Sequence, residues 1–150
     1  MRIQLALNVR DIDEAVTYYS KLFGAQPHKR RPGYANFAID MPPLKLVLFE
    51  DKTADERLNH LGVEVFDSND VRTAGDRFEA DGILTERQHG TVCCHAEQDK
   101  AWSRDPQGLR WEWYRITDDQ PTQDDGAWVT EQTTDQVTRP AADNDEACCA

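Results

Sequence analysis

The chain has 150 residues, of which 39% are hydrophobic, and its formal net charge at pH 7 is −11. This length suits one domain with an ordinary core, and no apolar run approaches the roughly 20 residues that a membrane-spanning helix needs. The N-terminal segment lacks the long apolar stretch of a signal peptide, and the excess of acidic residues argues against nucleic acid or anionic membranes as partners. We therefore expect a cytoplasmic protein that binds small molecules or metal ions.

The negative charge is concentrated near the C-terminus. Residues 117–150 contain nine acidic residues and one basic residue, a net charge of −8, which leaves −3 for residues 1–116. The same segment is poor in apolar residues, so it cannot bury enough surface to offset the entropy lost on ordering. The sequence predicts a folded domain at 1–116 and a disordered acidic tail at 117–150, which ends in the pair Cys148 and Cys149.

The first predicted elements are a strand that contains Gln4 and a helix over 12–23. Asp11 stands at the N-cap, Glu14 at the capping-box position, and Gly24 just past the helix end. Three strand-like runs follow near 25–30, 34–39 and 44–49, and proline-containing turns separate them. Residues 1–50 are thus predicted to form a βαβββ module.

The elements from about residue 58 to 115 repeat this order. A strand at His60 precedes a helix over 69–81, which Asp67 or Ser68 caps and Gly82 follows. Further strands are predicted near 83–88, 91–97 and 109–114, with a turn at 89–90 and a longer loop over 98–108. The second half is therefore also predicted as βαβββ.

The two halves align with each other in sequence. Residues 4–11 match 60–67 without gaps, so that Gln4 and His60 are equivalent, and the last strands match at 44–49 and 109–114. Short similarities of this kind also arise by chance, but the matching caps, helix ends and final strands weigh against coincidence. We predict an α+β fold made of two tandem βαβββ modules.

One acidic residue stands out in the last strand. Glu112 lies between Trp111 and Trp113, whereas the first module has Val47 at the matching position. A carboxylate in an apolar strand is costly to bury unless it has a partner, and a divalent cation is a good one. A lone strand histidine such as His60 is more often an ordinary hydrogen-bonded residue than a ligand.

Two pairs of adjacent cysteines are the second unusual feature. Adjacent cysteines rarely bond to each other because the ring is strained. Buried inert thiols are the simpler interpretation of Cys93 and Cys94, but a vicinal pair at a strand end or bulge is better suited to hold As(III), Cd(II) or Hg(II). Packing cannot explain the pair in the tail, so the four cysteines together indicate metal or metalloid handling.

Tandem βαβββ modules resemble the vicinal oxygen chelate superfamily, which includes glyoxalase I, extradiol dioxygenases and bleomycin-resistance proteins. In that superfamily the modules form an open, curved mixed sheet around a divalent metal, and the first strands and the final strand supply ligands. The resemblance implies metal ligands at Gln4, His60 and Glu112. A fourth ligand position falls on Val47, which cannot coordinate. Three ligands with open positions suit Fe(II) and oxygen chemistry.

Longer stretches resemble one branch of this superfamily, the ArsI-type organoarsenical carbon–arsenic lyases and the similar cadmium-inducible CadI proteins. The matching segments are 4–7, 31–39, 42–48, 58–65, 93–94 and 98–102. The resemblance implies Fe(II)- and O2-dependent cleavage of a carbon–arsenic bond, in which Cys93 and Cys94 hold a trivalent organoarsenical. Because superfamily members often dimerise, a homodimer is a further expectation.

The predicted loop over 98–108 is long and polar enough to act as a lid, with Lys100 as its candidate residue, although an ordinary solvated loop is the alternative. Phe37, Trp111 and Trp113 are expected to form an apolar wall that limits access of water.

Two other functions stay open at this stage. The first is a non-catalytic protein that sequesters cadmium, arsenite or mercury through its cysteines. The second is a glyoxalase-like or antibiotic-binding relative, which Val47 weakens and which leaves the cysteines without a role.

Overall fold

The computed structural model of the protein describes residues 1–121, in which two helices cover one eight-stranded sheet. In chain order the elements are β1 (Arg2–Val9), α1 (Ile12–Phe23), β2 (Lys29–Arg31), β3 (Tyr34–Ile39), β4 (Leu44–Glu50), β5 (Leu58–Glu64), α2 (Ser68–Ala80), β6 (Leu84–Cys93), β7 (Ala96–Arg104) and β8 (Arg110–Asp118). Most of the predicted acidic tail, with Cys148 and Cys149, lies outside the described residues.

The strand order across the sheet is β2-β3-β4-β1-β5-β8-β7-β6. In each module the first strand pairs in parallel with the last strand, β1 with β4 and β5 with β8, and β1 pairs with β5 antiparallel to join the modules. The two modules therefore have the same internal arrangement, and the mixed sheet curls into a half-barrel. The predicted α+β fold of two tandem βαβββ modules is confirmed.

The helices begin where the sequence places their caps. The Asp11 side chain accepts hydrogen bonds from the backbone N–H groups of Asp13 and Glu14, both at 2.9 Å, and Gly24 ends α1 with a φ of 62°. Asp67 caps α2 in the same way. Neither helix in residues 1–121 has the length and apolar character needed to cross a membrane.

Side chains along each strand alternate between a face covered by a helix and an inner, concave face. In β4, Leu46 and Leu48 pack into the core beneath α1, whereas Lys45 and Val47 face the inside of the curve. The helix-covered faces are apolar, but the inner face buries an unusual set of polar side chains: Gln4, Asn36, Lys45, His60, Gln98, Lys100 and Glu112. A functional site is therefore expected on the inner face.

The second module departs from the sequence prediction between its helix and its last strand. β6 runs through the predicted turn at 89–90, where Gly90 allows a shift in register, and the turn lies instead at Cys94 and His95. Both turn residues have positive φ, 54° and 64°, as two-residue hairpin turns require. Neither is Gly, Asn or Asp, so the sequence carried no signal for this turn.

β7 occupies most of the segment that was predicted to be a loop. Lys100 lies in the middle of this strand with 3% of its surface exposed, so its assignment to a lid is wrong. The predicted apolar wall is also wrong, because Phe37 and Trp113 pack beneath the helices on the opposite face of the sheet. The aromatic side chains on the inner face are Tyr34, Phe49, Trp102 and Tyr114.

The folded domain extends slightly beyond the predicted boundary at 116. β8 continues to Asp118, and the Asp119 carboxylate lies 2.9 Å from the Lys29 ammonium group on β2. The Lys29 ammonium group also donates to the backbone carbonyl of His95 at 2.7 Å. These contacts join the outer strand of the first module to the β6–β7 turn of the second.

Candidate metal centre

Three adjacent strands bring the sequence-predicted metal ligands together. Gln4 on β1 and Glu112 on β8 are both paired with Gly62 on β5, and His60 lies two residues before Gly62 on the same face. Gln4, His60 and Glu112 have exposures of 4%, 3% and 3%. All three side chains therefore meet at one buried point between the two modules.

The cluster has a well-defined hydrogen-bonding pattern. His60 Nε2 lies 3.0 Å from Gln4 Nε2 and 3.1 Å from Glu112 Oε1, and Gln4 Nε2 donates to the same Glu112 oxygen. The other ring nitrogen, His60 Nδ1, lies 2.6 Å from Asn59 Oδ1, which as an amide oxygen can only accept. The proton is therefore on Nδ1, and the Nε2 lone pair faces the cluster.

This arrangement fits a divalent cation. The lone pairs of His60 Nε2 and Glu112 Oε1 converge on one point, where the two N–H bonds of the Gln4 amide now satisfy them. Their separation of 3.1 Å matches the distance of roughly 3 Å between adjacent ligands that each lie about 2.1 Å from a metal. Half a turn of the Gln4 amide would present its oxygen as the third donor.

Tyr114 permits that rotation. Its hydroxyl group donates to Gln4 Oε1. After rotation of the Gln4 amide, the same hydroxyl can accept a hydrogen bond from the amide nitrogen. Burial, together with the charges of Glu64 and Glu112, raises the pKa of Tyr114 well above its usual value, so the group stays a neutral phenol. Residues 1–121 contain no cluster of three His, Cys, Asp or Glu ligands, so a three-donor site at this point would need the Gln4 amide.

The Glu112 carboxylate has a second partner in Lys100. The Lys100 ammonium group lies 3.2 Å from Glu112 Oε2, and both side chains are 3% exposed. Burial is the largest single influence and raises the pKa of Glu112, but the Lys100 charge and the contacts with His60 and Lys100 together outweigh it, and the pKa falls to about 2. The carboxylate is therefore ionised at neutral pH and ready to bind a cation.

We expect this pair to make the fold sensitive to acid. Since the folded pKa of about 2 lies below the ordinary value of 4.5, the carboxylate contributes stability above pH 4.5 that is lost as the pH falls toward 2. Denaturant unfolding across this range should show a steeper loss in the wild type than in Lys100→Met/Glu112→Gln. If the free energy of unfolding falls equally with pH in both proteins, the ion pair between Lys100 and Glu112 is not the source of the acid sensitivity.

Gly62 leaves the space in which the cluster assembles. A Cβ atom at this position would lie 2.8 Å from Glu112 Cγ and 3.4 Å from Gln4 Cβ. We expect Gly62→Ala to displace both ligands and to weaken divalent-metal binding at least about tenfold, with a stability loss of about 1–3 kcal/mol. Isothermal titration calorimetry with Mn(II) or Fe(II) measures the affinity.

Gly82→Ala is the matched control for this change. Gly82 has a φ of 70°, and a Cβ atom added there would have no neighbouring atom within 4 Å, so alanine strains the backbone without touching the cluster. Metal affinity should be unchanged in this variant despite its lower stability. An equal loss of affinity in both variants would show that Gly62 acts only through general stability.

The cysteine pair lies at the end of β6. Cys93 is buried as the last residue of the strand, and Cys94 is half-buried in the turn that follows. Their sulfur atoms are 3.0 Å apart, too far for a disulfide bond of about 2.05 Å. The pair therefore lies at a strand end, although the sequence predicted that the strand continues to residue 97.

One cavity connects Cys94 with the cluster. It has a volume of about 30 Å³, and its walls come from both modules. Cys94 lines it together with all three candidate ligands and Lys100. Val47, which occupies the fourth ligand position of the superfamily, also lines it. A ligand held by the thiols therefore has access to the buried cluster.

The same architecture is found in known proteins. Residues 3–113 match the family model of the Glyoxalase/Bleomycin resistance protein/Dioxygenase superfamily. The chain belongs to this superfamily. Two solved superfamily folds, the Mn(II)-bound glyoxalase from Novosphingobium aromaticivorans and an extradiol ring-cleaving dioxygenase from B. fuscum, each align with a TM-score of 0.59 at 20% identity. They cover 85% and 78% of this chain, which in turn spans 42% and 33% of theirs.

Within the superfamily, two groups of relatives are much more similar in sequence. The cadmium-induced protein CadI of Mycobacterium tuberculosis is 54% identical over 121 residues, 81% of this chain and 80% of that protein. The trivalent organoarsenical cleaving enzyme of Thermomonospora curvata is 50% identical over 133 residues, 86% of this chain and 88% of that enzyme. A Bacillus sp. enzyme with the same name is 37% identical over 112 residues, 73% of this chain and 70% of its own.

Sequence reasoning missed three residues that support the cluster. Asn59 orients His60, Tyr114 holds Gln4, and Gly62 makes room for Glu112. Gly62 and Asn59 flank His60 within the repeat, and Tyr114 follows Glu112 at the two-residue spacing of one strand face. That spacing was the available signal for Tyr114.

Proposed function

We propose that this protein cleaves the carbon–arsenic bond of trivalent organoarsenicals, with Fe(II) held by Gln4, His60 and Glu112 and arsenic held by Cys93 and Cys94. The observation that carries the proposal is the single cavity shared by Cys94 and the three-ligand cluster. The name of the Thermomonospora curvata relative supports the same reaction class. A substrate that contacts both the cysteine pair and the three-ligand cluster would account for their sharing one cavity.

The cysteines position the substrate. Two sulfur atoms 3.0 Å apart can both bond to one trivalent arsenic atom, which then keeps a single organic substituent. The substituent has the cavity as its available space, so its first carbon atom is held toward the cluster. This restriction of orientation is a large part of what such a site contributes to the rate.

The buried cluster supplies the second part of the site. Gln4, His60 and Glu112 would hold Fe(II), and the metal would supply activation of O2 for oxidation of the carbon attached to arsenic. Glu112 stays ionised beside Lys100, and Trp102 packs edge-on against His60 at 5.4 Å between ring centroids. Because these side chains are almost fully buried, they limit the access of water to the reacting carbon.

The overall reaction balances with O2 alone. For methylarsenite, CH3As(OH)2, one molecule of O2 converts the methyl group to formaldehyde and leaves arsenous acid, As(OH)3. The carbon loses four electrons and O2 gains them, while arsenic stays trivalent. The reaction therefore needs no separate reductant.

Anaerobic reconstitution tests this proposal. The purified full-length protein is loaded with Fe(II), and methylarsenite and then air are added. Inorganic As(III) is followed by liquid chromatography with mass detection, and formaldehyde is measured in parallel. We expect equal amounts of the two products, dependent on Fe(II) and on air. Tight arsenic binding without either product would overturn the proposal.

A second candidate function is sequestration of cadmium or arsenite without turnover. It rests on the cysteine pair, whose geometry does not require the cluster, and on the cadmium-induced relatives. This function predicts stoichiometric thiol-dependent binding that survives His60→Ala and Glu112→Gln. The carbon–arsenic lyase instead requires both residues for product formation.

A further inference from the structure

The first-module wall of the cavity carries a lysine that the cluster does not use. Lys45 lies on β4 beside Gln4 of β1 and is 3% exposed, and it lines the cavity. Within residues 1–121, no acceptor lies within hydrogen-bonding or ion-pairing distance of its ammonium group. A buried charge in this position is costly until a partner of opposite charge arrives.

The other two lysines of the cavity are already neutralised. Lys29 lies 2.9 Å from the Asp119 carboxylate, and Lys100 lies 3.2 Å from the Glu112 carboxylate. The remaining buried carboxylate on this side, Glu64, is bound by Arg2. Glu64 and Asp119 attract the Lys45 charge, but neither lies within ion-pairing distance of it. The charge of Lys45 is thus the one on the cavity wall that the described part of the chain leaves without an ion-pair partner.

Asn36 on the neighbouring strand has an unused polar atom. Its Nδ2 donates to the Tyr34 hydroxyl at 2.8 Å, but its Oδ1 is buried without a hydrogen-bond partner within residues 1–121. Rotation of the amide exchanges the two atoms, so that Oδ1 accepts from Tyr34 and the amide N–H groups become donors. Asn36 and Lys45 lie on adjacent strands and line the same cavity.

We propose that Lys45 and Asn36 form a subsite for a small oxyanion of the carboxylate type. An ammonium group and an amide N–H can donate to the two oxygen atoms of one carboxylate, which meets the needs of both side chains. The carboxylate has two sources, a free small anion or the organic substituent of an arsenical bound at the cysteines. The second source rests on the function proposed above, and the first does not.

The first experiment uses the metal-free full-length protein and sodium formate. Titration at constant ionic strength is followed by two-dimensional 1H–15N NMR in the wild type, Lys45→Met and Lys52→Met. Lys52 is the matched control because its side chain is 73% exposed and lies outside the cavity. We expect saturable chemical-shift changes in the wild type. The affinity for formate should fall roughly 10- to 100-fold in Lys45→Met and stay unchanged in Lys52→Met.

A second variant guards against indirect effects of Lys45→Met. Asn36→Asp places a carboxylate beside Lys45, so it should occupy the subsite and weaken formate binding comparably. The fold is checked in each variant by the dispersion of the same NMR spectra. Absence of saturation in the wild type, or equal affinity in Lys45→Met, would overturn the proposal.

The second experiment distinguishes the two sources of the carboxylate. Binding of methylarsenite and of the small carboxymethylarsenous acid is compared in the wild type and in Lys45→Met. A preference for the carboxylated compound that disappears in Lys45→Met assigns the subsite to the substrate. Formate binding without such a preference assigns it to a free anion. Failure of carbon–arsenic cleavage would leave both binding results intact, so the two proposals fail separately.

Discussion

Replacing Glu112 with glutamine is expected to abolish tight divalent-metal binding and to lower the free energy of unfolding by roughly 3 kcal/mol. The negative charge of the carboxylate is lost from a cluster whose other two candidate donors, His60 and Gln4, carry no negative charge. The Lys100 ammonium group, 3% exposed, is then left without its carboxylate. Metal affinity measured by calorimetry should fall by at least about 100-fold, and denaturant unfolding measures the stability.

The double variant Lys100→Met/Glu112→Gln separates these two effects. It removes both buried charges, so most of the lost stability should return, whereas metal binding should stay absent. His89→Ala serves as a control for histidine-dependent metal binding, because the His89 side chain is 72% exposed and away from the cluster. Normal metal affinity in Glu112→Gln, or its return in the double variant, would exclude Glu112 as a ligand.

The second large effect concerns the cysteines. Cys93→Ser and Cys94→Ser are each expected to weaken binding of trivalent methylarsenite by at least about 100-fold, because one of two simultaneous sulfur bonds is lost. Carbon–arsenic cleavage should disappear with the binding. The measurements are made in a Cys148→Ser/Cys149→Ser background, so that a thiol pair in the tail cannot replace the first pair.

That background protein is itself the control. We expect it to bind methylarsenite and to release inorganic As(III) as the wild type does. Metal binding at the cluster should also be unchanged in Cys93→Ser, since neither sulfur belongs to the three-ligand set. Full arsenic binding by Cys93→Ser, or loss of binding in the background protein, would assign arsenic recognition to another part of the chain.

The internal repeat explains why so much of the cluster was predictable from sequence. Gln4 and His60 are equivalent positions of two aligned strands, and the order β4-β1-β5-β8 places the first and last strands of both modules side by side. Residues at matching positions therefore meet at the junction of the modules. Glu112 followed from the cost of a carboxylate between two tryptophans.

The hairpin of the second module was not predictable by the same reasoning. His89 and Gly90 form the strongest local turn signal, yet β6 continues through them with a shift in register. The turn falls instead at Cys94 and His95, which are not Gly, Asn or Asp, because pairing with β7 extends β6 as far as Cys93. Tertiary pairing outweighed local preference here.

By itself, the sequence predicted the two modules and their helix caps, because caps and alternating strands are readable from the residue pattern, and its resemblance to a known superfamily implied the three candidate ligands. The tertiary structure alone decided what each side chain faces. Lys100, predicted to lie in a lid loop, is the ion-pair partner of Glu112. Phe37 and Trp113 pack beneath the helices. Lys45 has no ion-pair partner in the described residues. Such partnerships join residues far apart in the chain, and only the closing of the sheet brings them into contact.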